Sequence, residues 1–511
     1  MIASASESDF SRAAWLRHGV PALVAGIALA AAFPRYEWEG VAWVALAPVL
    51  LTALSTTPRA ALGWGWLAGF VFFSALLKWL TTTFQVYSAI PWPIVYGPIA
   101  LLAAYCGLYV GLVAAAVAWI RVRRSPAEGL LAAPFLWVAG EWLRGHLMYG
   151  FPWGNLGYSQ YRQLAIIQIA ELAGVDAVSF LLVAVNAALA GCFVLPRRKK
   201  VIGVLLAAIL FGGSLGFGVR RLAVPPPPPT ATVAVVQPSI IQVRKWDESY
   251  AAEILGTFFA LTRQAGAQRP ALIVWPETAT PTMVRRDRAL LAALTRLSGE
   301  LEAGLLVGSI DAGTGAVPAF RNTAFLVTGR GIQQRYDKIQ LVPFGEFIPL
   351  SGVLGFVRGW ADFIADLEPG ARAEVFTGPP APFGVMICYE GVFPDLVRRF
   401  VQNGARFMVN MTNDGWFGRT SGPLQHLSMY PFRAVEHRMA IVRAANTGIS
   451  AFISPTGDIV SRLGLYERGV LTDRVPLREG RTLYTRLGAW LAYLSLAAAG
   501  LMLAHAAARG R

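Results

Sequence analysis

Three residues have the types that together could do covalent chemistry on a carbonyl, and each stands just past a strand-like run. Glu277 follows ALIVWP. Lys338 follows IQQRYD, set off by the turn Gly329-Arg330-Gly331. Cys388 closes FGVMI and precedes Tyr389-Glu390-Gly391. In open α/β sheets, sites collect outside the carboxyl ends of strands, so three such ends can bring a carboxylate, an ammonium and a thiol together. A free thiol ionises near pH ~8.5 and needs a base as it attacks at neutral pH. A carboxylate can take that proton and return it to the leaving group. An ammonium stabilises the thiolate and then the oxyanion, with the backbone N–H of Tyr389 as a second donor. Taken singly, each residue has a plainer reading: a core thiol, a solvated loop carboxylate, a surface lysine beside Asp337.

The elements that must position this trio lie between about 231 and 475. Strand-like runs fall at 231–236, 271–275, 304–309, 323–328, 383–388, 406–411 and 449–453, with helix-like stretches such as 248–264 and 287–302 between them. Strand alternating with helix predicts an α/β domain around a central sheet. The proline run Pro225 to Pro229 precedes it as a stiff extended spacer.

The rest of the chain has a different character. Of 511 residues, 55% are hydrophobic and 15% charged. Soluble domains carry about 25% charged residues, so the balance points to a membrane protein. The net charge of +15 sits in short clusters between apolar runs, which is a topology signal and not a groove for phosphates; no nucleic-acid partner is expected. Eight runs are long enough to span a bilayer, near 19–34, 39–55, 60–80, 94–120, 128–145, 171–195, 201–219 and 486–508. The first is read as a span and not as a cleaved signal peptide. The fifth carries Glu141 and Arg144, expected either to pair with neighbouring helices near the interface or to shape a site.

Lys and Arg mark one side of the membrane: Arg12, Arg17, Arg59, Arg121, Arg123, Arg124, Arg197 to Lys200, Arg509 and Arg511. In the short loops the other side receives Arg35, little in the loop near 81–92, and Arg162. That bias predicts both termini in the cytoplasm and the large segment after the seventh span outside it. The expected divisions are a membrane domain at 1–222, a Pro-rich linker at 223–230, a catalytic domain at 231–478 and a last transmembrane helix at 479–511. Cys106 and Cys192 lie in apolar runs and read as packing, and the odd cysteine count gives no disulfide framework. His426 and His437 stand apart with no third ligand at metal spacing, so neither metal nor cofactor is predicted.

VWPET (274–278), YDKIQLVPFGEFIP (336–349) and MICYEGVFPD (386–395) resemble, in order and spacing, the three catalytic blocks of the nitrilase, or carbon–nitrogen hydrolase, superfamily. The resemblance implies an αββα sandwich with Glu277 as general base and acid, Lys338 as oxyanion stabiliser and Cys388 as nucleophile. Such a domain set before the last of eight helices resembles the apolipoprotein N-acyltransferase family. So do YGFPWGNLGYSQ (149–160) and Trp246-Asp247 after VVQPS. This second resemblance implies roles near the site for Trp246, Glu346, Tyr389 and Glu390; for Trp246, packing against the membrane portion is the alternative. It further implies a phospholipid acyl donor, a diacylglyceryl apolipoprotein acceptor and a Cys thioester, in the bacterial inner membrane with the catalytic domain periplasmic. The chain is expected to act as a monomer. Residues 351–370 place Phe356, Trp360 and Phe363 at roughly helical spacing, which predicts either an amphipathic lid or a helix packed on the sandwich. The competing reading of the whole is a membrane-anchored amidase acting on a small amide.

Overall fold

A computed structural model describes residues 11–225, 228–245, 247–313, 319–360 and 366–508. Two units emerge. One holds residues up to Thr81, Trp92–Ala223 and the chain from Ala489 onward; the other holds Thr82–Pro91 and Val224–Gly488.

The helical unit contains, among the described residues, six helices long and apolar enough to cross a membrane: Arg12–Ala31, Pro58–Leu76, Tyr96–Arg123, Val175–Val194, Arg197–Leu222 and Trp490–Ala508. Two of the eight expected spans differ. The run at 39–55 is a 3-10 turn, Glu39–Trp43, followed by the helix Ala47–Ser55. Pro48 sits in the first turn of that helix, where its missing N–H costs no intrahelical bond. Pro126–His146 is a full 21-residue helix but carries Glu141 and Arg144.

These two charged residues reach neighbouring helices, Glu141 through a hydrogen bond with Ser179 of Val175–Val194 and Arg144 by lying 4.9 Å over the Phe73 ring of Pro58–Leu76, and they also bond to the loop that follows. Glu141 Oε1 accepts from Trp137 Nε1 at 2.9 Å and from the Leu156 N–H at 2.6 Å. Arg144 donates to the Phe151 and Trp153 carbonyls and to Asn155 Oδ1. Together they fasten the 149–160 loop to its helix. Elsewhere in this unit, a Cβ on Gly69 would stand 2.7 Å from Gly107 Cα, and one on Gly65 would stand 3.1 Å from Gly111 Cα. Paired glycines four apart thus let Pro58–Leu76 and Tyr96–Arg123 touch backbone to backbone.

The other unit is built on twelve strands: β1 Pro229–Gln237, β2 Leu272–Val274, β3 Gly304–Ala312, β4 Phe320–Thr328, β5 Gly331–Asp337, β6 Val375–Phe376, β7 Phe383–Ile387, β8 Phe407–Thr412, β9 Ile441–Ala445, β10 Ala451–Ile453, β11 Ile459–Arg462 and β12 Gly469–Pro476. They form two six-stranded sheets, ordered β12-β1-β2-β3-β4-β5 and β11-β10-β9-β8-β7-β6. The centres are parallel, β1-β2-β3 in one and β7-β8-β9 in the other. Period-two alternation explains the layering. Val233 and Val235 enter a core shared with Val385, Ile387 and Val409 of the second sheet. Ala234 and Val236, on the opposite face, meet Phe258 and Leu294 of the helices Ala251–Gly266 and Arg288–Leu301. On the far side of the second sheet, Val397 and Phe400 of the helix Pro394–Gln402 and Ala434 of Tyr430–His437 complete an αββα sandwich.

Candidate active site

The parallel strand ends deliver the expected trio to one place. Glu277 lies just beyond β2, where Trp275 is still held by the Leu306 carbonyl of β3. Thr278, next to it, has φ +43°, a left-handed turn, and the chain after it stays against β3, with the Ala279 N–H on the Gly308 carbonyl at 2.7 Å. Lys338 ends β5, its N–H bound to the Asn322 carbonyl and its carbonyl to the Gly370 N–H. Cys388 ends β7 with φ +54° and opens the 3-10 turn Cys388–Val392. A non-glycine residue held there lifts its side chain out of the strand's register, a strain tolerated mainly at functional sites.

All three side chains are buried, Lys338 at 1% exposure, Glu277 at 7% and Cys388 at 9%. Lys338 Nζ stands 3.4 Å from Glu277 Oε1 and 2.9 Å from Glu346 Oε1. Asn322 Nδ2 bridges the same two carboxylates at 2.8 and 3.2 Å. Glu277 Oε2 accepts the Asn413 N–H at 2.9 Å, and Glu346 Oε2 accepts the Val342 N–H at 2.8 Å. Burial works to discharge Lys338, but Glu346 and then Glu277 outweigh it and hold the ammonium above the ordinary lysine range. Burial, then Glu277, pushes the Cys388 thiol up, against the pull of Lys338. Both effects favour the protonated thiol, which would need a base nearby to act as a nucleophile.

Glu390 has a structural task. Its Oε2 accepts the Ile387 N–H at 2.7 Å; its Oε1 accepts the Ile339 and Gln340 N–H groups at 2.6 and 3.1 Å and the Tyr336 hydroxyl at 2.6 Å. One carboxyl thus ties the Cys388 turn to the Lys338 loop. Burial pushes it up to about 7, while Tyr336 and the backbone donors pull the other way. Tyr389 is half-buried, its ring edge-on to Phe393 at 4.9 Å.

Lys245, Asn410, Tyr430 and Arg443 at the site went unread in the sequence. Lys245, 5% exposed, donates to the Glu277 carbonyl at 3.1 Å and to Thr278 Oγ1 at 2.5 Å. Burial lowers it to about 8, although Glu277 and Cys388 favour its charge. Behind Cys388 runs a buried chain. Its carbonyl accepts from the Tyr430 hydroxyl at 3.1 Å and from Asn410 Nδ2 at 3.3 Å. Tyr430 meets His426 Nε2 at 3.1 Å, His426 Nδ1 meets Asp414 Oδ1 at 3.0 Å, and Arg443 reaches Asp414 Oδ2 at 2.7 Å. Burial would raise Asp414, but Arg443 and then His426 bring it to about 2. His426 is thus a supporting residue of the site. His437 belongs to another cluster, its Nδ1 2.9 Å from Thr485 Oγ1. Among the described residues no group of three or more His, Cys, Asp or Glu could hold a metal ion.

Trp246 and Phe363 lie outside the described residues. The expected lid backbone is a short helix, Ser351–Leu354, followed by a 3-10 turn, Gly355–Trp360, which carries Phe356 and Trp360; it is not one continuous amphipathic helix.

Residues 25–188 match the family model for the apolipoprotein N-acyltransferase N-terminal domain, and residues 232–484 match that for carbon–nitrogen hydrolases. A curated relative from Geobacter metallireducens, named apolipoprotein N-acyltransferase, is 38% identical over 95% of this chain and 94% of its own. Another of that name, from Methylococcus capsulatus, is 32% identical over 92% of each. Among solved structures, an amidase from Nesterenkonia sp. is 20% identical, covering 48% of this chain and 91% of its own, with a TM-score of 0.37.

Proposed function

The chain belongs to the apolipoprotein N-acyltransferase family, and from that premise we propose that it moves an acyl chain from a phospholipid to the N-terminal amine of a diacylglyceryl-cysteine apolipoprotein, through a thioester on Cys388. The observation that carries the reading is the buried Glu277–Lys338 pair beside a thiol kept protonated at rest. In the first half-reaction Glu277 takes the Cys388 proton as sulfur attacks the ester carbonyl. Lys338, with the Tyr389 N–H, holds the oxyanion. The C–O bond breaks, the lysophospholipid leaves with the proton from Glu277, and an acyl thioester remains. In the second, the apolipoprotein amine gives a proton to Glu277 as nitrogen attacks. The C–S bond then breaks and sulfur recovers the proton. Glu346 and Asn322 fix Lys338 and Glu277, and Glu390 fixes the Cys388 turn, so these act by positioning. Both substrates are lipids. Pulling a long acyl chain into water costs about 0.8 kcal/mol per CH₂, which supports chemistry at the membrane surface.

The chain is a bacterial membrane protein. We further propose eight crossings, 1–222 as membrane domain, 223–230 as linker, 231–478 as catalytic domain on the periplasmic side and 479–511 as last span, with both termini cytoplasmic and the protein acting as a monomer. The test is intact mass after incubation with phospholipid and no acceptor. An acyl adduct that hydroxylamine removes, and that Cys388→Ala lacks, is the expected result. Hydrolysis of small amides with no adduct would favour the anchored amidase instead.

A further inference from the structure

Five arginines of the sheet unit, Arg398, Arg406, Arg478, Arg481 and Arg486, gather around His437 and the 478–486 segment. Arg398 donates to the Thr485 and Arg486 carbonyls at 3.0 and 2.8 Å. Arg406 donates to the Arg478 carbonyl at 3.3 Å, and Arg478 to that of His437 at 3.1 Å. The side chains of Arg398, Arg406 and Arg478 thus bond to backbone oxygens, and among the described residues none of the five enters an ion pair. One guanidinium nitrogen of Arg478 is buried without a partner, as is His437 Nε2. Two acids adjoining the segment in sequence do not compensate. Glu436 is taken by Arg433 at 2.6 Å, and exposed Glu479 forms no ion pair among the described residues.

Like charges gathered in this way repel. Burial and then Arg481 hold Arg478 below its ordinary range, and burial followed by Arg433, Arg478 and Arg398 drives His437 well down. Such a cluster is relieved by an anion. The apolar surroundings indicate which anion. Leu483 and Leu487, 40% and 54% exposed, flank Arg486, and Trp490 opens the apolar helix Trp490–Ala508 three residues after Leu487. Exposed leucines beside arginines, directly before a span, make an interfacial segment. On the proposed outer side, Arg478, Arg481 and Arg486 run against the positive-inside bias, so topology does not account for them.

We propose that this arginine cluster binds the phosphate of an anionic phospholipid headgroup and so seats the sheet unit on the bilayer surface. The inference rests on Trp490–Ala508 being a membrane span and is independent of the thioester chemistry. In the test, the full chain is purified in mixed micelles of equal phosphatidylglycerol and phosphatidylcholine, and native mass spectrometry reads the ratio of bound lipids. Wild type should enrich phosphatidylglycerol. Arg481→Gln/Arg486→Gln, two exposed side chains, should lose roughly 25-fold of that enrichment, about fivefold per charge. The Cys388 acyl adduct should form equally in both, showing the variant folded; its absence from wild type would sink the thioester and leave the lipid site standing. Equal retention of the two lipids by wild type, or unchanged enrichment in the folded variant, overturns the proposal. So does loss of enrichment to excess inorganic phosphate, which would mark a free-anion site.

Discussion

At the scale of single residues, the site balances its charges. Glu277 and Glu346 are faced by Lys338, and Lys245 adds a second ammonium at the Glu277 carbonyl. Removing Lys245 leaves the thiol beside one uncompensated negative charge, which makes its deprotonation harder. Lys245→Met should slow thioester formation by about tenfold to a hundredfold, the effect of losing about 1.4 to 2.7 kcal/mol of charge stabilisation. The pH dependence separates this from simple damage. Lys245 is a cation below about 8 and neutral above it, so the wild-type acylation rate should fall as pH rises through that value. In Lys245→Met the rate should be low throughout and that alkaline limb absent; a limb that persists belongs to another group. Glu390 offers a second residue-scale expectation. Four donors converge on its carboxyl. Glu390→Gln turns an NH₂ toward N–H groups and leaves buried donors unmet, at a cost of about 2 kcal/mol. Thermal unfolding of the full chain should show that loss together with impaired acylation. A variant of wild-type stability would deny it the role of tie between the two loops.

At the scale of elements, the position of Cys388 depends on β8, β9 and the helix Tyr430–His437 behind it. Asp414 titrates at about 2 in the fold against 3.8 for a free aspartate. Because the folded value is the lower, Asp414 stabilises the fold fully above about pH 4 and loses that contribution as pH falls toward 2, some 2 kcal/mol in all. Asp414→Asn should flatten acid unfolding across that window; an unchanged acid limb would show the Arg443–Asp414–His426 chain to be unimportant. Tyr430→Phe removes the hydroxyl on the Cys388 carbonyl and should lower acylation about tenfold at a stability cost near 1 kcal/mol. The same elements show what a sequence can reveal. β7 and β8 are mostly apolar runs bounded by turn signals and were readable, as was the placing of Glu277, Lys338 and Cys388 just past β2, β5 and β7. β9 was not, because IVRAA contains Arg443, which looks exposed until Asn410 and Asp414 are seen to neutralise it from other segments. Lys245, Asn322 and Tyr430 were hidden for the same reason: the burial of a polar residue is decided by partners far along the chain. The two-residue β6 is too short to carry a period.

At the scale of the whole molecule, the open question is the number of crossings, and charge separates the two counts. Among the described residues six helices qualify by length and composition. Six crossings and eight crossings leave both termini on the same side, so the ends do not discriminate. They disagree over Arg59 and over Arg121, Arg123 and Arg124, which six crossings would put outside and eight would put inside. The positive-inside bias therefore favours counting 39–55 and Pro126–His146 as spans. The charges within the second are no obstacle. Glu141 and Arg144 are 5% and 2% exposed and bonded to loop backbone, so neither charge faces lipid. In a background with Cys106, Cys192 and Cys388 replaced by Ala, Arg123→Cys should resist a membrane-impermeant maleimide in intact spheroplasts and react once they are permeabilised. Tyr149→Cys, in the loop that Arg144 holds, should react in both. Labelling of Arg123→Cys from outside would reduce the count to six and place the 149–160 loop on the same face as Arg123, with Pro126–His146 lying along the membrane and not across it.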